Sequence, residues 1–181
     1  MSSCYDGSFP CQDPKYCEFD KIAAAELAHP LTAHQIVNES VYCTYIPLEV
    51  DTVLDEVAYK TYLDGLKGKQ GVYQMWIDYE HCTDHSTHTM LCVYVGKGWA
   101  AGRIDTHIQS KWPAAAALYV TFYECSNRMS KYIEQLFLDT YAFHLNTNEN
   151  PGTDHLFGVW SDEDHLLGTE LNRVSGMVQP I

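Results

Sequence analysis

The chain has 181 residues, the size of one domain or one domain with an appended arm, and carries 24 Asp+Glu against 11 Lys+Arg, a formal net charge of −13. That balance excludes a protein that holds nucleic acid or an anionic membrane by bulk attraction, since both need clustered Lys and Arg. With 46% hydrophobic and 13% aromatic residues, the chain is no disordered acidic tail and can build a sizeable core.

Residues 1–18 hold Gly, Pro, Ser, Asp and three of the seven cysteines and read as an irregular arm. Cys4, Cys11 and Cys17 lack paired C-x-x-C spacing, so scattered thiols or one local disulfide are expected, not a zinc knuckle. The odd cysteine count, the absence of a basic-then-apolar leader and the absence of a long apolar run point to a soluble intracellular protein, cytoplasmic or nuclear. Ile22–Leu27 has short helical character, stopped before Pro30. Val41–Leu48, rich in β-branched and aromatic residues, reads as a strand that Pro47 ends or places at an edge. Asp51–Leu66 has a capping Asp51 and an apolar period through Val53, Leu54, Val57, Ala58 and Leu66, which predicts a helix.

Gly71–Tyr79 and Met90–Val95 read as two strands of an antiparallel hairpin. The polar segment between them, Glu80–Thr89, reads as an exposed loop. It holds Glu80, His81, Cys82, Asp84, His85 and His88, but no H-E-x-x-H. A polar loop is the expectation there, with zinc the lesser alternative. Protonated His81, His85 and His88 would lend positive charge to a nearby substrate. Ala100–Gln109 has helical character, and Leu118–Tyr123 is a third strand. A long helix runs from a Ser126 or Asn127 cap to about His144, with Met129, Ile133, Leu136, Phe137, Thr140 and Tyr141 at helical spacing. Asn146–Gly152 is a turn-rich stop. The last thirty residues are acidic and weakly patterned.

The order Gly71-Val-Tyr73, Tyr94-Val-Gly96, Lys97-Gly98, Arg103, His107, Glu134, Asn146/Asn148 resembles the GIY-YIG endonuclease family, nearest its Y-V/I-G-K-G subgroup. The resemblance covers about residues 71–152. Twenty residues lie between Tyr73 and Tyr94, more than that family usually has, and the excess falls in Glu80–Thr89. The resemblance implies a small α+β fold with a mainly antiparallel three-stranded sheet flanked by helices. Residues 1–70 would be an N-terminal α/β addition packing on it, and 153–181 an acidic extension. It implies a divalent-metal-dependent endonuclease hydrolysing phosphodiester bonds in nucleic acid, with DNA favoured.

It also implies roles. Glu134 would hold one Mg²⁺ or Mn²⁺, a hard cation that prefers oxygen ligands. Arg103 would place bidentate charge on phosphate, and Lys97 and Asn148 would bind substrate, with Asn146 close behind Asn148. Tyr73 would take a proton from water and Tyr94 would position it. An unperturbed phenol titrates near pH ~10, so Arg103, Lys97 and the metal would have to favour the phenolate. His107, one turn after Arg103, would orient water or protonate the leaving oxygen. Taken singly these residues have ordinary roles: strand tyrosines pack in cores, Arg103 and His107 fit a solvated helix face, and Asn146 and Asn148 suit a turn. The alternative function is a non-catalytic module of the same fold, binding a protein partner through an acidic, aromatic surface.

The charge is uneven. Residues 1–70 carry 5 basic and 11 acidic side chains, residues 71–152 carry 5 and 8, and residues 153–181 carry 1 and 5. Lys97, Arg103 and Lys111 cluster at the Y-V-G turn and the following helix, so a local positive patch on an acidic protein is expected. Targeting would then fall to a protein partner or a fused domain.

Overall fold

In the computed structural model, residues 11–12, 14–45, 60–112, 118–147 and 150–167 are described. The fold is α+β, an antiparallel sheet flanked by helices. In chain order the elements are α1 (Cys17–Glu26), α2 (Ala33–Asn38), β1 (Val41–Tyr45), the end of α3 (60–65), β2 (Gln70–Cys82), β3 (Thr87–Trp99), α4 (Ala100–Lys111), β4 (Leu118–Glu124), α5 (Asn127–Thr140), β5 (Phe157–Ser161) and α6 (Asp162–Leu167). Most of the helix expected over Asp51–Leu66 lies outside the described residues, as does Asn148.

The sheet has five strands in the order β1-β4-β2-β3-β5, not three. The three expected strands, β2, β3 and β4, form its centre. The strand expected at Val41 adds to β4 as one edge, Val41 opposite Phe122. The other edge, β5, comes from the weakly patterned C-terminal stretch and pairs with β3 from Thr87 to Leu91. Its five residues alternate in burial, a pattern too short to stand out among the acids that follow it.

Each face of the sheet carries its own core. On one, Phe19 and Ala23 of α1, Ile36 and Val37 of α2, and Ile133, Leu136 and Phe137 of α5 pack on Val72, Trp76, Val95 and Tyr119. On the other, Tyr62 and Leu66 join Ala100, Ile104 and Ile108 of α4 against Tyr73, Met75, Tyr94 and Phe122. The α4 residues recur every four positions, which puts one apolar stripe against the sheet and leaves Arg103 and His107 at its border. Helix α2, too short to declare itself in sequence, is fixed by a capping box between Thr32 and Gln35. Asp20 of α1 also accepts the Ala33 N–H at 2.8 Å.

The segment Glu80–Thr89 is largely ladder, not loop. Glu80 pairs with Thr89, His81 with His88 and Cys82 with Thr87, leaving a tight turn at 83–86. Ser86 adopts φ 51° in that turn. The extra length between Tyr73 and Tyr94 therefore extends both strands. Polar side chains hid this from the sequence, since the ladder is held by backbone groups. No helix among the described residues is long and apolar enough to cross a membrane.

Candidate active site

Strand β3 contains a bulge that decides where its side chains point. Met75 is opposite Tyr94 and Trp76 is opposite Cys92, so Val93 is the extra residue. Val93 and Tyr94 consequently both pack in the α4-side core, while Cys92 and Val95 pack in the other. Bulges re-aim side chains in this way. A second irregularity, at Tyr79 of β2, restores the count, so Met75 opposite Tyr94 and Tyr73 opposite Gly96 continue the register of the turn end and put both tyrosines on one face. There the two rings stack at 6.0 Å between centroids across neighbouring strands.

The glycines of both tripeptides are required by this packing. A Cβ on Gly96 would lie 2.5 Å from the Tyr73 ring, which crosses the strand at that point. A Cβ on Gly71 would collide with the Tyr123 carbonyl of β4. Gly98 adopts φ +114°, which only glycine tolerates well. Arg103 of α4 lies over it and donates from Nη1 to the Lys97 carbonyl at 2.7 Å.

Helix α4 closes over the tyrosines. His107 Nε2 and Tyr94 Oη are hydrogen-bonded at 3.0 Å. The Lys111 ammonium sits 4.5 Å from the centre of the Tyr94 ring, a cation–π contact. Burial pushes the Tyr94 and Tyr73 phenols upward from their ordinary value. Arg103 pulls the other way on both but loses to desolvation. The phenolate expected of Tyr73 is thus disfavoured here, and its enclosed hydroxyl has no well-formed hydrogen bond. Burial, then Lys111 and Arg103, push His107 down to about 4, so its imidazole is neutral at neutral pH.

Lys97 and Glu134 lie at the opposite face. Strand alternation sends Lys97 to the α5 side, where its ammonium pairs with the Glu134 carboxylate. Glu134 is mostly buried and projects from α5 beside Ile133. The structure thus groups Tyr73, Tyr94, His107 and Lys111 under α4, with Arg103 at their edge. It pairs Lys97 with Glu134 around the strand, and the Arg103–Lys97 backbone contact links the two groups. Asn146 is not free for substrate. Its carboxamide accepts from the Val95 N–H at 3.0 Å and donates to the Val95 carbonyl at 2.9 Å.

A second polar cluster, at the far end of the hairpin, gathers Asp78, His81, His88, Asp162 and His165, with the Tyr119 hydroxyl beside them. Sequence reasoning singled out His81 and His88 but not the rest. Asp162 and His165 are more than seventy residues downstream of the hairpin's His88, and only the pairing of β5 with β3 brings α6 there. A scan against protein-family models and searches of curated proteins and of solved structures find no match to this chain.

Proposed function

We propose that the α4 side of β2 and β3 is the active site of a divalent-metal-dependent endonuclease of the GIY-YIG type, hydrolysing phosphodiester bonds in nucleic acid, DNA before RNA. One observation carries this reading: the two motif tyrosines stack across adjacent strands, with His107 bonded to one of them and Arg103 and Lys111 supplying positive charge at the same place. An acidic chain has little reason to concentrate cations there unless an anion is to be met. Arg103, exposed at the edge, suits phosphate oxygens. His107, neutral above about pH 4, is a better proton acceptor than donor, and Tyr94 Oη is its partner for passing a proton. Tyr73, kept as a phenol, positions Tyr94 and Gly96.

Glu134 offers a single hard carboxylate of the kind Mg²⁺ uses when water completes its shell. Lys97 already neutralises that carboxylate, so an ion there would compete with an ammonium and release Lys97 toward phosphate. Because Glu134 stands on the α5 face, an ion there would supply charge to the phosphate only at the end of β3, around the strand past Lys97 and Gly98. The same Lys97–Glu134 pair, with the complete burial of Tyr73, favours the second reading, a non-catalytic module that binds a protein partner.

Plasmid nicking with Mg²⁺ or Mn²⁺ tests the choice, comparing the natural chain with R103A, H107A and E134Q. The nuclease reading expects cleavage that R103A lowers by about 10²–10³, the usual cost of removing one transition-state charge donor. Cleavage unaffected by all three substitutions refutes the site. Absence of cleavage on every DNA and RNA tried favours the partner-binding module.

A further inference from the structure

We propose that Asp78, His88 and His165 form a transition-metal site, with Zn²⁺ the ion their chemistry fits best, at the end of the sheet away from the tyrosines. The three donor atoms come from β2, β3 and α6. Asp78 Oδ2 lies 3.1 Å from His88 Nδ1 and 3.0 Å from His165 Nε2. Imidazole nitrogen and carboxylate oxygen bind Zn²⁺ at about 2.0–2.2 Å, so neighbouring ligand atoms in a tetrahedral site stand about 3.3 Å apart. Both oxygen–nitrogen spacings are within a few tenths of an ångström of that value, and the two nitrogens lie within 4.8 Å of each other. Tyr119 Oη, 2.8 Å from His165 Nε2, or a water takes the fourth position.

The surroundings have the form of an outer shell. The two nitrogens of His88 face different carboxylates, Nδ1 toward Asp78 and Nε2 toward Asp162 at 3.5 Å. A metal on Nδ1 leaves Nε2–H to donate to Asp162, the carboxylate–imidazole–metal arrangement that fixes a ligand's tautomer. His81 Nε2 lies 2.9 Å from the same Asp162 oxygen and holds that carboxylate in place. Charge balances as well, since two carboxylates offset one divalent ion among neutral imidazoles. The His88 and His165 rings are parallel at 3.5 Å between centroids, and an imidazole holds a metal in its own plane, so one ring has to tilt out of this stack when the ion binds. Such a site would staple α6 to the hairpin. This proposal is independent of the nuclease reading.

The neighbouring group Cys11, Cys82 and His85, with each sulfur 3.5 Å from His85 Nδ1, is the competing location, and the test separates the two. The full-length chain, stripped with chelator, is titrated with Zn²⁺ by calorimetry and with Co²⁺ by absorption. The site expects one ion per chain, intense visible bands of tetrahedral Co²⁺, and no sulfur-to-cobalt charge transfer. D162N should weaken Zn²⁺ by about 10–100-fold, the usual cost of an outer-shell partner. H165N and D78N should weaken it further, and H155N, outside the cluster, should leave it unchanged. Circular dichroism checks that each variant folds, and D162N, at a half-buried position, serves if H165N does not. Three results overturn the proposal: no saturable Zn²⁺ binding, affinity unchanged in D162N and H165N, or a sulfur charge-transfer band that C82S removes.

Discussion

Replacing Asn146 with alanine should unseat the strand that carries Tyr94 and Gly96. Strand β5 covers the edge of β3 only as far as Leu91. Beyond it the edge is covered piecemeal. The Cys92 N–H donates to the Leu156 carbonyl and the Leu145 N–H to the Val93 carbonyl, each at 2.9 Å. Then the Asn146 carboxamide satisfies both backbone groups of Val95, a residue 0% exposed. Asn146→Ala strands one donor and one acceptor. Each unsatisfied buried group costs about 1–3 kcal/mol, and partial rewetting makes the sum about 2–4 kcal/mol. With a urea slope of about 2 kcal/mol/M, the unfolding midpoint should fall by about 1–2 M. Asn146→Asp sharpens the test. Its carboxylate still accepts the Val95 N–H but has nothing to donate to the carbonyl, so it should recover little. A midpoint shift below about 0.3 M for Asn146→Ala would refute the view that this side chain serves as the missing edge strand.

Thr121→Val should destabilise the core although it keeps volume and shape. Thr121 Oγ1 accepts the Trp76 indole N–H at 2.8 Å and donates to Gln74 Oε1 at 3.1 Å. The valine leaves the buried indole N–H unpaired, a loss of about 1–3 kcal/mol, read as a lower urea midpoint. A neutral result would mean that water reaches the indole. His107 should make stability depend on pH. Its folded value, about 4, lies below the ordinary 6.5, so the unfolded chain binds the proton first. Its contribution is whole above pH 6.5, declines as pH falls and is gone below about 4. Urea midpoints of the natural chain and H107Q, measured from pH 7.5 to 4, should converge as pH falls. Parallel curves, or an NMR titration of His107 near 6.5, would contradict the half-buried neutral imidazole.

The elements legible in sequence are those whose apolar pattern is long and whose partners are close. The hairpin β2–β3, the strand β4 and the helices α4 and α5 meet both conditions. The sheet edges did not. The β1 strand was visible as a strand, but nothing in Val41–Tyr45 says that it pairs with a strand eighty residues away. The β5 strand is five residues among acids. Polar composition made Glu80–Thr89 look like a loop because pattern reasoning weighs side chains, whereas pairing there is between backbones. Alternation alone misplaces only the short stretch between the two irregularities, Trp76–Asp78 opposite Met90–Cys92. The bulge at Val93 is a property of register between two strands, and no single strand's sequence displays it. Beyond it, ordinary alternation puts Tyr94 with Tyr73 on the α4 face and Lys97 on the face of Val72 and Val95, where it meets Glu134.

The two polar groups on β3 therefore stand apart in chemistry as well as place. His88 and Lys97 are nine residues apart on one strand, about 30 Å at the usual rise. One end offers a lone carboxylate already matched to an ammonium, which suits a hard, watery ion bound weakly. The other offers imidazoles and a carboxylate at coordination spacing, which suits a borderline ion bound tightly. A metal that binds the folded chain but not the unfolded one raises stability in proportion to its affinity. Zn²⁺ should then raise the urea midpoint without supporting cleavage, and Mg²⁺ should support cleavage with little effect on the midpoint. E134Q should abolish only the second effect and D162N weaken only the first. If one substitution removed both, the ends of the strand would be coupled, and the division of labour argued from strand alternation would be wrong.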